Sequence, residues 1–364
     1  IKDYLKGKCE LEEMRFWPCV FTKGKFLEII VCLFVDDIVI AGNNVNTINQ
    51  FITDLQNRFD TRIVNDGSPN ERDAVRYDIL GIDVEYKKGV SMKFGMLESL
   101  TKKLPLLGVE FKKESRYNIV PGTPNRSLNQ DLDIPCDKDY NAKVNWIQRA
   151  IGLSNYVAMK YRFDIAYYTN ILAQHQLYPS DAVLFETERL LQYLWTTRGK
   201  RLVWKRNEKE TSELIGLTDA SHAKGLKYKS QAGYFCIWNG KKLFARSTRT
   251  SYVCESSTQS ETYAASECLA ISRSINYLLS TLTGKKPDQI LLTDNTALIN
   301  SIKGTKTIKP GSRHNDLKLY AMKDKYSEGE LKVEHIPTKQ NEADLLTKRL
   351  KIKQFKVLTD KWIK

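Results

Sequence analysis

Two groupings of acidic residues in this sequence have the types and spacing for chemistry. In IIVCLFVDDIVIAGNN, residues 29–44, Asp36 and Asp37 lie side by side between two runs of β-branched and aromatic residues. An isolated buried carboxylate is very costly, so such a pair must be solvated, matched by a cation or bound to metal. Two aspartates at a hairpin tip offer oxygen ligands to a hard divalent ion. A plain acidic turn would carry the same two letters. Further along, Asp219, Glu261, Asp294 and Asp344 each stand where an apolar strand ends or a helix begins. Carboxylates gathered at the strand ends of a mixed sheet can hold two Mg²⁺ ions roughly 3.5–4 Å apart, which activate a water and stabilise the leaving oxygen of a phosphodiester. Oxygen donors without a Cys or His ligand set suit Mg²⁺ rather than Zn²⁺. Each acid also has an ordinary reading. Asp219 or Asp294 could cap a helix, Glu261 could be a solvated helix residue, and Asp344 could pair with Lys348 at i,i+4. Ser221, His222 and Ser230 are too unspecific to form a nucleophile triad.

The elements that position these acids can be read from periodicity. PCVFTKGKFLEIIVCLFVDD reads as two strands joined by a Lys-Gly turn, the second leading into the acid pair. Val45, Ile48, Phe51, Ile52, Leu55 and Phe59 recur at helical spacing, with Asn46 or Thr47 near the cap. Residues 61–76 read as a polar loop, and YDILGIDVEYKKGVSMKFGM as strand, Lys-Lys-Gly turn, strand. LESLTKKLPLLGV predicts a short helix with Lys102 and Lys103 on one face. Residues 111–140, rich in proline and polar residues, predict a connector along the surface. Helices follow to about residue 200, Pro179 opening one of them at a first-turn position. Trp195, Arg198, Lys200, Arg201, Trp204, Lys205, Arg206 and Lys209 then cluster. Core packing suits the two tryptophans, and phosphate contact suits some of the cations. From 213 onward the order is three antiparallel strands with a turn at Asn239-Gly240, a helix, a strand, a helix, a long polar helix over 314–328, a strand, and a final helix containing EADLLTKRL. That order predicts a mixed α/β layer fold.

At 364 residues the chain has room for two or three domains, and its 41% hydrophobic and 27% charged residues are ordinary for a globular protein. The net charge of +14 favours a polyanionic partner. Seven cysteines without a CxxC pair read as reduced thiols rather than a disulfide frame or a zinc site. No apolar run reaches membrane-spanning length, so no membrane partner is expected.

FVDD between apolar strands resembles the Y/F-x-D-D box of reverse transcriptases. The strings FVDDIVIAGNN, YDILGIDVEY, IGLSNYVAMKYRFDIAYYTNILAQ, TDASHA, STQSETYAASE, LLTDNTALINSIK, HIPTKQNEADLLTK and FKVLTDKWIK, in this order, resemble the copia-type LTR retrotransposon Pol polyprotein, closest to the yeast Ty group. The resemblance implies an α/β and α+β chain: a partial reverse transcriptase palm over 1–95, a helical thumb and connection over 96–210, and an RNase H domain over 211–364. It implies that Asp219, Glu261, Asp294 and Asp344 act as one Mg²⁺ site cutting RNA in RNA/DNA hybrids. His335 resembles the mobile histidine that helps turnover in that fold. Asp36 and Asp37 would be polymerase metal ligands, with the 77–96 hairpin holding the primer terminus near them. Lys102, Lys103, Arg198, Lys200, Arg201, Lys205 and Arg206 would face nucleic acid. Implied partners are hybrid, template RNA, primer and other Gag or Pol products; the implied place is a cytoplasmic particle, with a nuclear step. The third polymerase carboxylate has no matching motif before Asp36, so the chain alone is expected not to polymerise DNA. A catalytically silent remnant that binds nucleic acid is the alternative.

Overall fold

The computed structural model describes residues 1–24, 28–64, 73–111, 120–124, 126–128, 138–207, 211–304 and 313–364. After the short helix α1 (Lys2–Gly7), the strands β1 (Glu12–Glu13), β2 (Val20–Lys23), β3 (Ile29–Phe34) and β4 (Asp37–Ala41) form an antiparallel sheet in chain order. Ile29 and Val31 alternate inward from β3 and meet Phe51 and Leu55 from α2 (Val45–Arg58), which are four residues apart on one helix face. The cap of α2 is Asn44, whose side chain accepts from the amides of Asn46 and Thr47. The helix thus starts at Val45, where its apolar pattern begins, but its cap is Asn44 rather than Asn46 or Thr47, because that asparagine satisfies the first free amides.

A second antiparallel sheet runs β5 (Val75–Ile79), β6 (Ile82–Lys87), β7 (Ser91–Gly95), β8 (Leu202–Lys205). The sequence pattern gave YDILGIDVEY as one strand. It folds as two, because Leu80 and Gly81 both take positive φ and the Gly81 amide donates to Asp78 at 2.8 Å. Helices α3 (Leu97–Lys103), α4 (Tyr140–Lys160), α5 (Ala166–Gln174) and α6 (Asp181–Thr196) follow. The cap of α6 is Ser180, accepting from the Val183 amide, so Pro179 lies one position before the cap rather than in the first turn. A buried Arg162–Asp164 ion pair at 2.8 Å, joined by Tyr193 and Thr197, locks the α4–α5 corner against α6.

Most of the proline-rich connector, the polar stretch 65–72, Cys136 and Lys209 lie outside the described residues. Where the connector is described, it departs from the expected surface course. Val120, Pro121, Gly122 and Leu128 are buried, and a Cβ on Gly122 would come within 2.5 Å of the Tyr168 ring. The Thr123 amide donates to Glu186 of α6 at 2.9 Å.

The remaining chain builds a five-stranded sheet in the order β11 (Lys241–Arg249), β10 (Gln231–Trp238), β9 (Glu213–Ser221), β12 (Asp288–Thr293), β13 (Leu331–His335). The first three strands pair antiparallel, and β12 joins β9 and β13 in parallel. Asn239 and Gly240 both take positive φ in the β10–β11 turn, the conformation that turn requires. Helix α7 (Ser257–Thr283) lies against β9, close enough that a Cβ on Gly216 would sit 2.7 Å from the Cys268 sulfur. Helices α8 (Thr296–Lys303) and α9 (Arg313–Ser327) lead to β13. The expected helix over EADLLTKRL is instead a 3-10 turn, Glu342–Leu346, followed by α10 (Ile352–Thr359). Asn341 caps this turn by accepting from the Ala343 amide at 3.1 Å, and Ala343, Asp344, Leu345 and Leu346 are all buried.

A candidate metal centre at the strand ends of the mixed sheet

Asp219 lies in the central strand β9, opposite Gly233 of β10, and is buried. Glu261 is in the second turn of α7. The Ser256 cap sets the start of that helix, and Glu261 Oε1 accepts from the Ala220 amide at 3.1 Å, next to Asp219. Asp294 follows the last residue of β12 and precedes Asn295, the cap of α8. Parallel pairing of β9 with β12 brings these acids to one end of the sheet. One ligand oxygen from each of Asp219, Glu261 and Asp294 lies within 4.8 Å of the others. Among the described residues this is the one group of three or more acids, histidines or cysteines with metal-ligand geometry.

Asp344 approaches from the 3-10 turn, which Asn341 ties to β9 through a 3.0 Å bond to the Thr218 carbonyl. It stands outside the triplet and faces Lys348, whose ammonium is 2.5 Å from Asp344 and 3.2 Å from Asp219. The Thr347 hydroxyl donates to Asp219, and Gln354 donates to Asp344 at 3.3 Å. The i,i+4 pairing legible in the sequence therefore forms, and within the acid cluster itself.

The electrostatics show too little positive charge for the acids present. Burial first, then Asp219 and Asp294, push the Glu261 carboxyl well above the usual range, against the Ala220 amide and Lys348. Burial and then Asp219 push Asp344 up to about 6, although Lys348 pulls it down. Burial alone would lower the Lys348 ammonium, but Asp219 and Asp344 outweigh it and hold it well above its ordinary value. Glu261 Oε2 is buried and has no hydrogen-bond partner. An unpartnered buried carboxylate oxygen among two further carboxylates fits a hard divalent cation, since only oxygens are offered.

His335 is exposed at the end of β13 and pairs in register with Thr293, the residue before Asp294. Ser230 and Ser260 are buried and share a 2.8 Å bond, with His222 3.1 Å from Ser260. They brace the start of α7 and present no accessible nucleophile. Asp36 and Asp37 are exposed at the β3–β4 hairpin, where Phe34 pairs with Asp37 and Val35 takes a φ of 52°. That left-handed conformation is strained for a β-branched residue.

The basic residues divide. Lys102 pairs with Glu98 at 2.6 Å and Arg201 with Glu85 at 3.1 Å. Arg198 lies 4.0 Å over the Trp195 ring, and Lys200 is 3.8 Å from Asp360. Lys103, Lys205 and Arg206 are exposed. Trp195 and Trp204 are half-buried against the core. Sequence reasoning missed Thr347 and a buried clamp beside it, in which Arg349 donates to Glu186 at 2.7 Å and to the Thr123 carbonyl at 3.2 Å. No sequence signal could have joined Arg349 to Glu186, which are 163 positions apart.

The strand order and the clustered acids define an RNase H-like mixed sheet, carried on a chain whose other sheets and helices are of mixed α/β type. No protein-family model matches the sequence. Over its whole length the chain is homologous to a region of the Ty1/copia-type yeast retrotransposon Gag-Pol polyproteins. It is 41% identical over 366 residues to the transposon Ty1-DR6 Gag-Pol polyprotein of Saccharomyces cerevisiae, covering all of this chain and 20% of that protein. It is 41% identical over 367 residues to the truncated transposon Ty1-A Gag-Pol polyprotein of the same yeast, covering 30% of it. The chain thus spans about a fifth to a third of the curated relatives it matches. Similar solved structures include LC11-RNase H1 from compost (TM-score 0.31, 18% identity, 38% of this chain and 94% of that one). Another is the prototype foamy virus protease-reverse transcriptase (TM-score 0.25, 12% identity, 88% of this chain and 37% of that one). At such scores these two carry no argument, and the fold class rests on the sheet order.

Proposed function

We propose that this chain is the reverse transcriptase/RNase H part of a Gag-Pol polyprotein and that residues 211–364 hydrolyse the RNA strand of RNA/DNA hybrids with Mg²⁺. The observation that carries the reading is the Asp219–Glu261–Asp294 cluster on the β9–β12 pair, with Asp344 beside it. Bound Mg²⁺ would supply an activated water and neutralise the leaving oxygen. The protein's part is to hold the four carboxylates. Asp219 and Asp294 are set by the strands, Glu261 by the Ala220 amide, and Asp344 by the Asn341-capped turn. His335, exposed at the rim, would assist product release. Asp36 and Asp37 would be polymerase ligands, in a palm over 1–95 that meets a thumb and connection over 96–210. Primer, template RNA and other Gag or Pol products would be its partners, in a cytoplasmic particle with a nuclear step. Among the described residues no helix is long and apolar enough to cross a membrane.

The test is cleavage of a labelled RNA strand in a hybrid by the purified chain, with Mg²⁺ and then with EDTA. Asp294→Asn should abolish cutting and leave hybrid affinity nearly intact. Tight, salt-sensitive binding with no Mg²⁺-dependent cutting would instead establish the silent, nucleic-acid-binding remnant.

A further inference from the structure

We propose that the Lys348 ammonium is a resident cation of the acid cluster, occupying the position that a divalent ion shared by Asp219 and Asp344 would take. The proposal rests on the metal-centre reading above and concerns the order in which that centre loads. The acids divide into two unequal halves. On one side, Asp219, Glu261 and Asp294 converge within 4.8 Å, and Glu261 Oε2 is buried without a partner. On the other side, Asp344 is turned onto Lys348 at 2.5 Å, and the same ammonium reaches Asp219 at 3.2 Å. Asp219 also takes the Thr347 hydroxyl. One half therefore holds an unmet carboxylate oxygen, and the other already holds a positive charge.

The chain fixes this arrangement locally. The Lys348 amide donates to the Asp344 carbonyl at 3.0 Å, which lays the lysine stem along the turn and over the carboxylate four residues before it. The Lys348 side chain is 35% exposed, whereas those of Asp344 and Asp219 are 4% and 2% exposed. The carboxylates are fixed, and the lysine, on a flexible four-carbon stem, can leave toward solvent. A first divalent ion in the Asp219–Glu261–Asp294 half meets Lys348 only through the shared Asp219, while Glu261 and Asp294 carry no ion pair to it. A second ion must displace Lys348, because two cations cannot share the Asp219–Asp344 pair at these distances. Lys348 is thus a positioning residue that sets the affinity for the second ion.

Mn²⁺ binding to the full chain, followed by electron paramagnetic resonance of the free ion, tests this without relying on activity. Wild type should bind one ion tightly and a second weakly. Lys348→Met should tighten the second ion about tenfold or more and the first by clearly less, since the lysine touches that half only through Asp219. Lys348→Arg, which keeps the charge, should retain the weak second site, and Asp344→Asn should remove it. Thermal melting with and without Mn²⁺ checks that each variant folds. Unchanged second-ion affinity in Lys348→Met, or a weaker one, overturns the proposal. Failure of wild type and Lys348→Met to bind any ion, with Asp294→Asn no different, would overturn the metal centre itself.

Discussion

Glu261 and Asp344 show how one cluster can be unstable alone and ready for a cation. Both carboxyls are raised, by burial first and by neighbouring acids next. An acid whose folded pKa exceeds its unfolded one gains a proton on folding. Its contribution is complete below the unfolded value, about 4, and is lost as pH rises through the folded value, about 6 for Asp344. A divalent ion competes with those protons, so its affinity rises over the same window. Mg²⁺ should therefore raise the melting temperature more at pH 7 than at pH 5, and Asp344→Asn should shrink the difference. Equal Mg²⁺ shifts at both pH values would contradict the assignment. Of this site, the identity and order of the four acids were legible in the sequence. The bridging of two of them by Lys348 was not, because the i,i+4 spacing points to Asp344 and gives no hint of Asp219, 129 positions away.

At the scale of elements, the acid-bearing strands and the helices beside them were readable because each depends on neighbours in sequence, whereas the caps of α2 and α6 were misplaced by one to three positions. Two misreadings had a common cause. The split at Leu80-Gly81 and the 3-10 turn at Glu342–Leu346 are both decided by what the segment packs against or by one backbone angle, against a pattern that allowed a longer element. The Glu186–Arg349 clamp belongs here as well. It pins the end of the acid-bearing turn to α6, with side-chain exposures of 2% and 7%. Removing one partner of a buried pair costs about 3–5 kcal/mol because the other charge is left uncompensated. Glu186→Ala should lower stability by that order in a urea melt and weaken Mn²⁺ binding in parallel. A loss within about 0.5 kcal/mol would show that Arg349 finds water instead.

For the whole molecule, the excess of 57 basic over 43 acidic residues would make the proposed binding to nucleic acid a salt-dependent quantity. Affinity falls linearly in log–log terms as salt displaces the advantage of counterion release. Lys205 and Arg206 are exposed, whereas Arg201 and Lys102 already have carboxylate partners. Replacing Lys205 or Arg206 by alanine should reduce the salt slope of hybrid binding by about 1 each. Arg201→Ala should act mainly on stability, through Glu85. A slope that moves with Arg201 and not with Lys205 or Arg206 would reverse that division. Composition revealed the sign of the charge; which cations are spent on internal partners depends on packing and was hidden.

The pairing of the last residues with β8 has one more consequence. The Val203 amide donates to the Trp362 carbonyl at 3.0 Å, and the Lys364 amide to the Arg201 carbonyl at 2.9 Å. The chain therefore leaves the meander sheet for the mixed-sheet unit and comes back to it at the same spot. The mixed sheet is thus tied to the meander sheet where the chain enters it and again where it returns, and it shares one buried core with the helices, Phe235 and Leu346 lying in the same cluster as Tyr193 and Leu194. The two are therefore expected to melt in one transition.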